Sequence, residues 1–103
     1  MPPATAATLS LVFRGLMKFV DTYVFRDDRF SIGTEEESGV HYLSIPVSNG
    51  LVEYEEYYAL DPVLFARAPG NIEQLRAFAE ECRQHHMDDR LIVKPGTRRG
   101  LPI

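Results

Sequence analysis

Two groups of residues in this 103-residue chain have the types and spacing that chemistry uses. Cys82, His85, His86, Asp88 and Asp89 crowd one short segment. On a helix, Cys82 stands three residues before His85 and four before His86, so two of these side chains can share a face and meet a metal ion. No second pair of ligands occurs elsewhere at a recognisable spacing, and strong zinc motifs need two such pairs. Histidines in a last helical turn are also favoured by the helix dipole. Cys82 falls on an apolar stripe, where a small core residue is the simpler expectation. His41 with Glu53 or Glu55 is the other candidate, as a general acid–base pair. A histidine beside carboxylates on a strand is ordinarily just surface, and nothing fixes this pair's geometry. The chain has no glycine-rich phosphate loop and no G-x-S-x-G elbow. The expectation is therefore no catalytic residue, no metal and no cofactor. A small enzyme using His41, or a metal-binding protein using Cys82, His85 and His86, is the alternative.

The most unusual stretch is Val52-Glu53-Tyr54-Glu55-Glu56-Tyr57-Tyr58, which holds three carboxylates and three phenols without one basic residue. On a strand, alternate residues share a face. Val52, Tyr54, Glu56, Tyr58 and Leu60 then form the more apolar set, suited to the core. Leu51, Glu53, Glu55, Tyr57 and Ala59 form the other, which presents Glu53 and Glu55 to water. Glu56 breaks the inner alternation, so a sheet margin or a bulge is expected there. Charges on a strand block edge-to-edge aggregation, which is the plain reading of this pattern. Tyrosines beside carboxylates also make a docking surface, since tyrosine gives rigid amphipathic contact and carboxylates accept arginine forks. Glu35, Glu36 and Glu37, on the loop between the preceding strands, extend the same field. The expected partner-binding residues are thus Glu35, Glu36, Glu37, Glu53, Tyr54, Glu55, Glu56 and Tyr57.

Charge placement supports docking. Residues 1–30 carry +1 and residues 61–103 carry +1, whereas residues 31–60 hold six glutamates, no lysine or arginine, and -6. Such a field repels nucleic acid and attracts a basic protein partner.

The elements that must carry these residues follow from pattern. Residues 1–7, small and proline-bearing, read as a flexible lead-in. Leu9, Val12, Phe13, Leu16, Met17, Val20, Tyr23 and Val24 have the spacing of one helical face, which predicts a helix from about Thr8 to Val24 with Thr8 or Ser10 as cap. The β-branched and aromatic residues of segment 19–25 fit a strand as well. Phe30–Thr34 reads as a strand, Val40–Val47 as a second, and Asn49-Gly50 as the hairpin turn into a third over Leu51–Leu60. Asp61-Pro62 starts a short helix to about Arg67. Asn71 caps the next, with a stripe of Ile72, Leu75, Phe78, Ala79 and Cys82. Residues 90–94 read as a last strand, and 96–103 as a basic C-terminal tail. The expectation is one α+β domain over residues 8–95, a mainly antiparallel meander with helices on one face. Its core is expected to include Val12, Phe13, Leu16, Val20, Leu43, Ile45, Leu75, Phe78 and Ile92.

An apolar content of 45% with 25% charged residues is that of a globular chain. No run approaches the ~18 uninterrupted apolar residues of a membrane helix, so no membrane association is expected. A lone cysteine cannot make an internal disulfide, which points to a reducing cytoplasm.

Tyr42-Leu43-Ser44-Ile45-Pro46, Glu53-Tyr54-Glu55-Glu56-Tyr57-Tyr58 and the block from Glu81 to Leu91 carry a resemblance. A small acidic α+β chain with a Glu/Tyr surface resembles the immunity proteins of bacterial toxin systems, those of contact-dependent growth inhibition included. That resemblance implies an inhibitor that binds a cognate toxin domain, often a nuclease with a basic cleft, and blocks it.

Overall fold

The computed structural model describes residues 17–103. Four antiparallel strands follow one another as a meander: β1 (Phe19–Phe25), β2 (Phe30–Glu35), β3 (His41–Ser48) and β4 (Glu53–Ala59). Helices α1 (Pro62–Arg67) and α2 (Ile72–Arg83) come next, then a 3-10 turn at Asp88–Arg90 and a two-residue strand, β5 (Leu101–Pro102). The α+β class and the meander are as expected. No helix of the described residues is long and apolar enough to cross a membrane.

Segment 19–24 is strand, which corrects the helix expected from Thr8 to Val24; the earlier part of that helix lies outside the described residues, with Val12, Phe13 and Leu16. Phe-Val-Asp-Thr-Tyr-Val-Phe suits a pleated surface, and β2 provides the pairing partner from Phe19↔Glu35 to Phe25↔Phe30. A bulge at Thr22 shifts the register between Asp21 and Tyr23. Because β1 is an edge strand with few residues packed over it, Val20 is 48% exposed rather than in the core.

The hairpin from β3 to β4 has an unbroken register from Ser48↔Glu53 to Tyr42↔Ala59. Its turn is held by Asn49, whose Oδ1 accepts from the backbone N–H groups of Leu51 (2.9 Å) and Val52 (3.0 Å), with Gly50 at φ +89°. Residues of even number on β4 and odd number on β3 face inward. Ile32, Leu43, Ile45, Val47 and Tyr58 meet Leu75, Ala79 and Cys82 of α2 in one fully buried cluster, with Phe78 at its margin. Asp61 caps α1 as expected, accepting from Val63 N at 2.7 Å. Asn71 stands at the start of α2 without capping it; its Nδ2 instead donates to the Leu64 carbonyl (2.9 Å) and ties the two helices together. Arg83 donates to the carbonyls of Asp28 and Arg29, so α2 also clasps the β1–β2 turn.

The expected strand over residues 90–94 is a single bridge, Tyr58↔Leu91, with Ile92 N donating to Tyr57 O at 2.9 Å. The chain then leaves the sheet, and the true last strand is β5, paired with Val47 and Ser48 of β3. Segment 96–103, read as a basic tail, is docked here. Gly100 is buried, packs on the Ser48 backbone and donates its N–H to the Tyr54 hydroxyl at 2.7 Å.

Candidate functional site

The eight expected contact residues divide by face. Glu53 and Glu55 project outward from β4 with Tyr57, and both are exposed; Glu36 and Glu37 are exposed on the β2–β3 turn. Glu35 and Glu56 are buried, at 0% and 5% exposure, and Tyr54 is half-buried on the inner side.

Glu56 obeys the alternation without a bulge; it lies at the sheet margin, on the edge strand β4, yet its side chain faces inward and is buried. Its charge is answered from the C-terminal segment instead. Arg99 forks onto it, Nε to Oε2 at 2.8 Å and Nη2 to Oε1 at 3.1 Å. The same guanidinium holds Asp88 at 2.7 and 2.9 Å, and the Tyr58 hydroxyl donates to Glu56 at 2.9 Å. Arg99 holds the Asp88 carboxyl below its ordinary range, while burial first, and then the bond to Glu56, push the Tyr58 phenol upward. This pairing organises the interior end of the sheet.

Glu35 is committed in a different way. Its carboxylate accepts from the backbone N–H groups of Lys18 (2.9 Å), Glu37 (2.9 Å) and Ser38 (2.8 Å) and from the Ser38 hydroxyl (2.8 Å). Burial alone would raise it, but these donors outweigh burial and bring its pKa down to about 2. It pins the turn that presents Glu36 and Glu37.

The outer face also carries a cluster that the sequence reading missed. Phe19 stacks on Tyr57, centroids 3.7 Å apart, and Tyr42 meets both rings edge-on. Tyr42 is fully buried beneath them and donates its hydroxyl to Asp21 at 2.6 Å. Burial and the Asp21 charge raise the Tyr42 phenol. Glu55 lies alongside: although the residue is exposed, partial desolvation of its carboxyl raises its pKa, a hydrogen bond from Ser44 draws it partly back, and Asp21 raises it further. Two like charges therefore face one another beside an aromatic floor, an arrangement that a guanidinium or ammonium group would relieve. A groove of about 320 Å3 continues this face past Ser31 and Pro46 towards Arg26 and Arg29.

The signal for this cluster was Gly33, which pairs directly with Tyr42. The tyrosine ring lies over the glycine, as aromatic residues do when they cover a bare position on a neighbouring strand. A β-carbon at Gly33 would collide with the Val20 carbonyl oxygen and stand 2.5 Å from the Tyr42 hydroxyl. Gly33→Ala is thus expected to destabilise the fold by about 1–3 kcal/mol through overpacking. Thermal unfolding gives that cost, and loss of the near-ultraviolet tyrosine dichroism would show that Tyr42 has been displaced.

The alternative sites do not assemble. His41 lies on the helix-covered face, its Nδ1 2.9 Å from Thr34 Oγ1 and its ring stacked 3.9 Å from Phe65, opposite to Glu53 and Glu55. Cys82 is buried in the core, where its thiol is pushed up to about 12, chiefly by burial. His86 pairs with Glu81 at 3.1 Å, and His85 sits beyond the helix end at φ +63°. Among the described residues no group of three or more His, Cys, Asp or Glu side chains is placed to hold a metal. No protein-family model, curated protein or solved structure matches the chain.

Proposed function

We propose that this protein is a non-catalytic binding module that recognises a basic protein partner through the outer face of β4, and that it acts as an immunity protein whose partner is a cognate toxin domain. The observation that carries this reading is the division of the glutamates. Glu35 and Glu56 are buried and are answered by the protein itself, whereas Glu36, Glu37, Glu53 and Glu55 are exposed on the surface. Glu55 and then Glu53 run on along the outer face of β4 from an aromatic platform of Tyr57, Phe19 and Tyr42. Tyrosine platforms with carboxylates favour arginine anchors. The field of the exposed glutamates would speed encounter, and a desolvated pair at Glu55 would hold the complex.

Partner recognition is tested by co-expressing the protein with the products of its neighbouring reading frames and comparing it with the E53K/E55K variant. Both residues are exposed, so the variant should retain the fold and lose about tenfold or more in affinity. Recovery of the same partners at equal affinity would leave the acidic strand as a solvated face only.

A further inference from the structure

Strand β4 is the last of the meander, with one edge turned away from β3. In an antiparallel ladder, alternate residues direct both N–H and C=O at the partner strand, and those between direct them outward. The Tyr57 carbonyl accepts from Ile92 N on the outer side, which makes Tyr57 an outward residue. By the same alternation Glu55 and Glu53 are outward too. The Leu91–Ile92 segment already occupies this edge beside Tyr57 and Tyr58, in the position of a further strand. At Val93 the chain swings away, and residues 93–98 form the far wall of a slot of about 410 Å3 whose near wall is Tyr54 to Tyr57. Within the slot, the outward N–H and C=O of Glu55 have no backbone partner among the described residues.

We propose that an extended segment of the basic partner adds to this edge as a strand, continuing the line of Leu91–Ile92, with lysine or arginine at alternate positions across from Glu53 and Glu55. This rests on the acidic face being an interface, and it specifies how that interface is read. The alternation follows from geometry: outward residues of β4 carry their side chains on the outer face, so a paired strand places every second side chain beside a glutamate. The side chains between point towards the half-buried Tyr54 and Val93 and are apolar. Arg98 stands on the far wall, and its charge disfavours the segment's own cations there and directs them to the β4 side. A second copy of this chain is a poor occupant. Antiparallel pairing of two β4 edges sets glutamate against glutamate in every register that overlaps residues 53–55, and like charges directly opposite are unfavourable.

The test uses the full chain, labelled with nitrogen-15, and three short peptides. One alternates lysine with valine; one has the same composition with its lysines consecutive; one repeats the alternating sequence with backbone N-methyl groups at the positions that would donate to β4. The alternating peptide is expected to slow hydrogen exchange at the Glu53 and Glu55 amides and to bind about tenfold tighter than either control, the worth of one or two backbone hydrogen bonds. The E53K/E55K variant should lose that difference. Equal binding of all three peptides without amide protection would overturn strand addition while leaving the acidic face as a basic-partner site. Failure of every peptide to bind would also overturn it. Amides already protected in the free monomer, or a dimer in sedimentation, would assign the edge to the chain itself or to a second copy.

Discussion

Arg99→Ala is expected to cost about 3–5 kcal/mol of folding stability, because it strands a buried carboxylate. Glu56 has 5% exposure and depends on the Arg99 fork; the same substitution frees Asp88 and removes a donor to the Tyr58 hydroxyl. In a chain of this length each kcal/mol lowers the melting temperature by roughly 4–8 °C, so the loss should be visible as a fall of at least about 12 °C. A double variant, E56L/R99M, separates the causes. Replacing both charges with apolar groups should recover most of the loss, since the penalty belongs to the unpaired charge rather than to a missing contact. A cost below about 1 kcal/mol for Arg99→Ala would mean that the pair behaves as a surface bridge and that the C-terminal segment is not docked as described.

Glu35→Ala should cost about 2–4 kcal/mol, because four donors on the β2–β3 turn lose a shared acceptor at once. The effect carries a pH signature. The folded-state pKa of Glu35 is lowered from 4.5 to about 2, so the ionised form is the one that folding favours. Its contribution is complete above the unfolded value and is lost as pH falls from about 4.5 towards about 2. Urea denaturation of the wild type should therefore weaken across that window, and Glu35→Gln should show a flatter profile there. A parallel fall in both proteins would assign acid sensitivity to other carboxylates. Because the same turn presents Glu36 and Glu37, the alanine variant should also loosen the rim of the candidate interface.

Much of the central architecture was legible because it is local. Alternation over residues 30–34, 40–47 and 51–60, Asn49-Gly50 between the last two, and Asp61-Pro62 at a helix start each act over a few residues, and each is found where expected. The stripe of Leu75, Ala79 and Cys82 likewise named the buried face of α2. Parity alone placed Glu53, Glu55 and Tyr57 on one side of β4 and Glu56, Tyr58 and Leu60 on the other.

What tertiary structure decided depends on partners far along the chain. Residues 19–24 fit both a helical face and a strand, and the available ladder of β2 chose strand. Glu35 and Glu56 look like their exposed neighbours in sequence. One is drawn inside by turn amides that converge only once β1 and β2 are paired; the other is drawn in by an arginine 43 residues away. No periodicity encodes that arginine, since a single ion pair has no repeat to detect. The basic run at residues 94–99 therefore read as a solvated tail, although burial of Glu56 makes Arg99 a structural necessity: a carboxylate leaves water only where a cation and hydrogen-bond donors replace it. The acidic excess over residues 31–60 was correctly located by composition, but which of its carboxylates stay exposed was settled by where the chain could bury and neutralise the others.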